Sequence, residues 1–289
     1  MDFFSRIEAA LQRSAPKGSE TKVRVTTGLV GGAVLLILLL TAGHFGVAVV
    51  SALLASVMAW ELGRVFIRSF DKVEKLNAII GLAWLIVFAN LLLPKSLFEG
   101  LILGSLGLFA FYLATAERHA ENLKTHFDEL VFSIFTLVYA VCFIGFLPLI
   151  RLGNGGLQWL ILFLLIVWAN DTGAYFAGKK WGQRKLYPLI SPKKTLEGAL
   201  GGLVVGLFIA LLFKLVFFRD LGVFGAVFAS IAVGVSSQIG DLCESLLKRA
   251  YSVKDSSQML PGHGGILDRF DGVLFSAPVM YLCTKIFGS

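Results

Sequence analysis

The chain has 289 residues, 56% of them hydrophobic and 16% charged, with a formal net charge of +7. A soluble domain carries roughly 25% charged residues, a chain this apolar has more nonpolar surface than one soluble core can hide, and disordered chains are polar and charge-rich. Three cysteines without paired spacing (Cys142, Cys243, Cys283) exclude a disulfide scaffold, and the absence of CxxC and HxxxH argues against a Cys/His zinc site. What remains is an all-α, polytopic integral membrane protein.

Residues 1–25 are polar to mixed and carry Arg6, Arg13, Lys17, Lys22 and Arg24. The apolar run that follows starts late and has no clear cleavage site, so a cleavable signal is not expected. Phe3, Phe4, Ile7 and Leu11 share one helical face, which predicts a short helix over 2–13 lying on the membrane, with a frayed tail as the alternative. A crossing helix needs ~20 residues for a hydrocarbon core of ~30 Å. By that measure the apolar runs predict nine spans, at 26–43, 46–67, 76–93, 97–116, 128–150, 157–178, 198–218, 221–241 and 272–287. Residues 26–151 form an N-terminal set of spans and 152–289 a C-terminal region with two long loops, 179–197 and 242–271.

The N-terminal tail and the connections on its side hold 21 of the 26 Lys and Arg, against five on the other side, Lys95, Arg151, Lys214, Arg219 and Lys285. Basic residues mark cytoplasmic loops, so the N-terminus and both long loops are expected inside and the C-terminus outside. The positive charge is then a topology signal and does not require a nucleic-acid partner. Gly202-x-x-x-Gly206 and the Gly28/Gly31/Gly32 cluster read as close helix packing. Glu61 is expected to pair with Arg64 or a neighbour. His44, His119 and His126 show no spacing that suggests a site, and Pro278 is expected to kink the last helix.

Asp171 lies 14 residues beyond Leu157 in the sixth span, about 21 Å along a helix and still within the core. A carboxylate there costs up to ~3.5 kcal/mol on insertion scales, so it faces a polar cavity or a partner; a position near the interface beside Lys179 is the alternative. Residues 191–198 read Ser-Pro-Lys-Lys-Thr-Leu-Glu-Gly. Paired lysines before a helix start can cradle phosphate, although they can equally serve as cytoplasmic anchors. Asp241, Glu244, Ser245 and Lys248 are spaced i, i+3, i+4, i+7, which puts two carboxylates, a hydroxyl and an ammonium on one face; Glu244 and Lys248 can also form a simple salt bridge. Lys254-Asp255, Pro261-Gly262-His263-Gly264-Gly265 and Asp268-Arg269-Phe270-Asp271 follow. Carboxylates that suit Mg²⁺, cations and a glycine turn together suggest phosphoryl or nucleotidyl transfer.

The run Ser245-x-Leu247-Lys248-Arg249-x4-Lys254-Asp255-x-Ser257-x2-Leu260-Pro261-x-His263-Gly264-Gly265-Ile266-x-Asp268-Arg269-Phe270-Asp271 resembles the signature of the phosphatidate cytidylyltransferases, also called CDP-diacylglycerol synthases. Asn170-Asp171-Thr172-x-Ala174-Tyr175 and Ser191-Pro192-Lys193-Lys194-Thr195-x-Glu197-Gly198 are similar to further elements of that family. The resemblance implies that CTP and phosphatidic acid give CDP-diacylglycerol and pyrophosphate, at a site facing the cytoplasm in the cell inner membrane. It implies Mg²⁺, with a second cation as an option, held by Asp241, Asp268 and Asp271, with Asp171 and Glu244 supporting that site. Lys193, Lys194, Lys248, Arg249 and Arg269 would bind phosphates. Ser191, Thr195, Ser245, Lys254, Gly264 and Gly265 would line the substrates, and His263 would contact a phosphate or pack in its turn. The partners are CTP, phosphatidic acid and membrane lipids, with no nucleic acid and with a homodimer as an assembly to test. The rival from another class is an ion-coupled secondary transporter using Asp171 and Asp241. It predicts charges near midplane on several helices and broken helices in matching halves, whereas here the acids gather with Lys- and Arg-rich loops.

Overall fold

A computed structural model describes residues 3–14, 38, 41, 43–67, 69, 71–93, 96–260 and 264–288. In chain order the elements are helices α1 (Phe3–Ser14), α2 (Gly43–Phe66), α3 (Lys72–Leu92), α4 (Leu97–Thr115), α5 (Leu123–Thr136), α6 (Phe146–Leu152) and α7 (Gly156–Trp181), strands β1 (Lys185–Tyr187) and β2 (Ser191–Thr195), and helices α8 (Leu196–Phe217), α9 (Val223–Ala250) and α10 (Leu267–Phe287). Seven stretches are long and apolar enough to cross a membrane. One of them, Leu97–Leu152, is 56 residues long and contains both the fourth and the fifth predicted spans. The predicted span at 26–43 and the Gly28/Gly31/Gly32 cluster fall almost wholly outside the described residues. The predicted span at 128–150 runs through α5, the π-helical stretch Leu137–Cys142 and α6, whereas the other seven each coincide with one helix, because continuous apolar runs leave the backbone no option in lipid but to bond within a helix.

The chain forms two compact units: Met1–Pro148 with Asp255–Arg269, and Leu149–Lys254 with Phe270–Ser289. In the first unit, α2 presents a row of buried small residues, including Ala48, Ala52, Ala55 and Ala59. A side chain at Gly63 would strike Leu76 of α3, since its Cβ would lie 2.0 Å from the Leu76 Cδ2. Small residues allow such close helix contact, which is what drives association where lipid is as apolar as leucine. Phe98, Ile102, Leu106 and Leu113 of α4 are exposed, as expected of a face that meets lipid.

A buried ionic network sits in this unit where the sequence suggested none. Lys75, read above as one more cytoplasmic-side charge, is fully buried. Its ammonium lies 3.0 Å from Asp71 and 2.7 Å from Glu129, and 3.1 Å from Nδ1 of His126. His126 in turn bonds the Tyr112 carbonyl through Nε2, and His119 reaches Asp71 at 2.9 Å. The two imidazoles stack at 4.3 Å between centroids. Histidines 7 residues apart meet because one lies in the irregular turn Ala116–Asn122 and the other in α5. Burial pushes the Asp71 carboxyl up, but hydrogen bonds with Ser69, His119 and Lys75 outweigh it and hold it at about 2. The stability this contributes is present above the ordinary aspartate value of 3.8 and is lost as pH falls through about 2. Lys75→Met would leave two buried carboxylates without their cation and should destabilise the protein by about 3–5 kcal/mol. A thermal melt of the detergent-purified variant at pH 7 measures this, and a melting temperature within error of the parent would refute it.

In the second unit, α7 and α8 pack closely along glycines. A Cβ at Gly201 would lie 2.2 Å from that of Ala177, and one at Gly202 would lie 2.6 Å from the Asn170 carbonyl oxygen, so Gly202 serves helix packing as its spacing suggested. The connection between these helices departs from the all-α expectation. It forms a two-stranded antiparallel hairpin pairing Lys185 with Thr195 and Tyr187 with Ser191. Thr195 ends the hairpin and caps α8, its hydroxyl accepting from the Gly198 N–H at 3.1 Å. The Glu197 carboxylate accepts from the backbone N–H groups of Gln183 and Arg184 and closes the hairpin base. Helix α9 also runs to Ala250, well past the predicted end at 241. The charges that end its apolar run fall on one face of a continuing helix, where Glu244 and Lys248 pair across one turn at 2.5 Å. The segment expected as a loop over 242–271 is therefore helical at both ends.

Candidate active site

Four of the expected residues gather in the second unit. Helices α9 and α10 cross where both are bare of side chain: a Cβ at Gly240 would lie 2.5 Å from the Asp271 carbonyl oxygen, and one at Gly272 would lie 2.5 Å from the Ser237 hydroxyl. The neighbours of these glycines in sequence are Asp241 and Asp271. That crossing brings the two carboxylates into electrostatic contact, with Asp171 of α7 and Lys194 of β2 acting on Asp271 as well. Asp271 also accepts the Gly272 N–H at 2.7 Å. Lys194 forms an ion pair with Asp241, whereas Lys193, one residue earlier on the strand, is exposed. Asp171 is positioned by its buried neighbour Asn170, whose Oδ1 accepts from Gln238 of α9 at 2.9 Å. Gln238 also donates to the Ala199 carbonyl, so one amide joins α7, α8 and α9 three residues before Asp241.

Other expected residues take supporting places in the same unit. Glu244 is buried and paired with Lys248. Arg249 donates to the Ile190 carbonyl at the hairpin turn, 3.3 Å away. Ser191 and Ser245 are half-buried and Lys254 is exposed.

The remaining residues are organised within the first unit. Asp268, in the first turn of α10, accepts through Oδ2 from the N–H groups of Ser256 and Gly265 at 3.0 and 2.8 Å. Gly264 and Gly265 are glycines because this turn has no room for more. Gly264 has φ +86°, and a Cβ at Gly265 would sit 1.9 Å from the Ser256 hydroxyl. His263 lies outside the described residues. Arg269 is exposed.

The sequence reading missed Glu61, which does not pair with Arg64. Arg64 instead contacts Glu8 of α1 at 2.6 Å, and Phe4 of α1 packs on Trp60, so the predicted N-terminal helix is present and docked. The Glu61 side chain is wholly buried and takes hydrogen bonds from Ser257, Ile266 and Leu267. The only signal in the sequence was an acidic residue near the end of an apolar run.

Among the described residues no three His, Cys, Asp or Glu side chains are arranged to hold a metal ion by themselves. Mg²⁺, however, is usually held by one or two carboxylates together with substrate phosphates and water. Two hard oxygen donors on crossing helices, Asp241 and Asp271, fit that mode.

A helical membrane protein that sets carboxylates beside a lysine on a strand-to-helix turn has the parts of a phosphate-handling enzyme. Residues 22–287 match the cytidylyltransferase family, and the chain belongs to it. It is 37% identical over 273 residues to the phosphatidate cytidylyltransferase of Bacillus subtilis (strain 168), covering 93% of this chain and 99% of that one. The proteins of the same name from Staphylococcus saprophyticus and Staphylococcus aureus (strain COL) are each 34% identical, with 90% of this chain and 97% of theirs covered. The chain is therefore a nucleotidyltransferase enzyme, and its apolar helices make it an integral membrane protein.

Proposed function

We propose that this enzyme transfers the CMP moiety of CTP to phosphatidic acid. A phosphate oxygen of phosphatidate forms a bond to the α-phosphorus of CTP, the α–β anhydride bond breaks, pyrophosphate leaves, and CDP-diacylglycerol stays in the membrane. The observation that carries this reading is the match, over nearly the full length of both chains, to relatives named phosphatidate cytidylyltransferase. No general base is required, because a phosphate monoester is already largely dianionic at pH 7, its second pKa being about 6.

Asp241 and Asp271 would hold Mg²⁺ against the triphosphate. Such an ion neutralises phosphate charge and stabilises charge that develops in transfer. Lys194 offsets the paired carboxylates and offers an ammonium to incoming phosphate, while Lys193, Lys248 and Arg249 supply further cations. The fixed Asn170–Gln238 contact holds Asp171 beside this charge cluster, so that positioning precedes substrate binding. The 21-to-5 asymmetry of Lys and Arg supports nine spans with the N-terminus and the hairpin in the cytoplasm, where CTP is found, and in bacteria the membrane concerned is the inner one.

The test is pyrophosphate release by purified protein given phosphatidate, Mg²⁺ and one nucleoside triphosphate at a time. Release with CTP well above that with ATP, GTP or UTP, and none without phosphatidate, is expected. Release indifferent to the base or to the lipid would overturn the proposal.

A further inference from the structure

We propose that Glu61 is a positioning residue for the transfer reaction: its carboxylate holds Ser256, Ser257, Ile266 and Leu267, and with them Asp268, in the geometry that turnover requires. The inference rests on the reading that residues 245–271 form part of the active site.

A carboxylate inside a membrane helix is costly unless it has partners. Among the described residues, the hydrogen-bond partners of Glu61 are Ser256, Ser257, Ile266 and Leu267, some 200 residues downstream. Oε1 accepts from the Ser257 hydroxyl at 2.5 Å and the Ile266 N–H at 2.9 Å. Oε2 accepts from the Leu267 N–H at 2.7 Å, with the Ser256 hydroxyl at 3.2 Å. Leu267 opens α10, so Glu61 supplies from another helix the acceptor that a helix start needs for its unbonded N–H groups. The Ser256 hydroxyl also lies 3.0 Å from Asp268 Oδ2. It has one hydrogen, so it donates to one of the two carboxylates at a time, and Ser256 stands between Glu61 and Asp268. Gly265 completes the arrangement, since a Cβ there would come within 2.6 Å of Glu61 Oε1. A group meant only to neutralise a charge would face a lysine or arginine. This one instead receives donors at both oxygens from the loop that carries Asp268.

Glutamine is the informative replacement. Each oxygen of the Glu61 carboxylate faces a backbone N–H, so whichever way a glutamine amide turned there, its NH₂ would point at a donor. The segment should then loosen although side-chain size is kept. Misplacement of this kind, away from the reacting atoms, costs up to roughly 100-fold in rate.

The experiment compares wild type, Glu61→Gln, Glu61→Asp and Ser257→Ala, purified in detergent. It measures amide hydrogen exchange of peptides covering 256–267, kcat and KM for CTP, and the melting temperature. For Glu61→Gln we expect faster exchange confined to this segment and kcat lower by roughly 10- to 100-fold, with a much smaller change in KM. Glu61→Asp keeps two acceptor oxygens and should recover part of kcat; Ser257→Ala should shift exchange and kcat in the same direction by less. Unchanged exchange in Glu61→Gln would overturn the proposal whatever the site does. Faster exchange with wild-type kcat would also overturn it, and would place the fault in the reading of 245–271 as active site. If Glu61→Gln does not fold, Ser257→Ala decides: wild-type exchange and kcat in that variant would sink the idea.

Discussion

Asp271→Asn should lower CTP-dependent turnover by about 100- to 1,000-fold, the loss seen when one preorganised electrostatic contact to a reacting group is removed. The change is isosteric, and an amide oxygen can still accept the Gly272 N–H that Asp271 takes at 2.7 Å. What disappears is one negative charge from a set in which Asp241 and Asp171 act on it in the same sense. Like charges close together destabilise a fold, so the variant should melt at or above the wild-type temperature while losing activity. That opposite movement separates a role in chemistry from a role in packing. Mg²⁺ should also protect it from heat less than it protects wild type. A variant with near-normal turnover and a full Mg²⁺ response would remove Asp271 from the proposed metal site. Asp268 is a less direct probe of the same question, because its Oδ2 already orders Ser256 and Gly265, and Asp268→Asn would disturb the loop together with any ligand.

The second large effect concerns the hairpin. Lys194→Gln should lower kcat/KM for CTP by roughly 100-fold, the scale of a lost charge-assisted contact to a reacting phosphate. Lys193→Gln should cost far less. The two lysines are adjacent in sequence, but successive residues of a strand point to opposite faces. Lys194 pairs with Asp241 while Lys193 is exposed. Initial rates across a range of CTP concentrations for each single variant make the comparison. Equal losses in the two would show that the loop contributes only general positive charge.

Much of the architecture was legible because lipid imposes a simple rule. Runs of ~20 apolar residues become helices, and seven of the nine predicted runs (46–67, 76–93, 97–116, 157–178, 198–218, 221–241 and 272–287) coincide with one helix each. The spacing of Asp241, Glu244, Ser245 and Lys248 was also readable, since it holds whether or not the helix lies in the membrane. The hairpin was not readable. Lys185–Thr195 is short and contains Pro188 and Pro192, with no alternation to mark a strand. Nor was the helix crossing that joins Asp241 to Asp271, although a glycine adjoins each aspartate in the pairs Gly240-Asp241 and Asp271-Gly272. The hardest features were those whose partners are distant in sequence. Lys75 looked like any loop lysine until Glu129, 54 residues on, was found beside it. Glu61 looked like a partner for Arg64 until Ser257, Ile266 and Leu267 were found bonded to it.

The most direct test of the central claim follows the α-phosphorus of CTP. Purified protein in mixed micelles with phosphatidic acid and Mg²⁺ is given CTP labelled at that atom, and label in the lipid phase is compared with pyrophosphate in the aqueous phase. One labelled lipid formed for each pyrophosphate released, identified as CDP-diacylglycerol, is the predicted result. Label that stays entirely in the aqueous phase, from protein that nevertheless supports ion or solute flux when reconstituted, would contradict the account and favour a transporter.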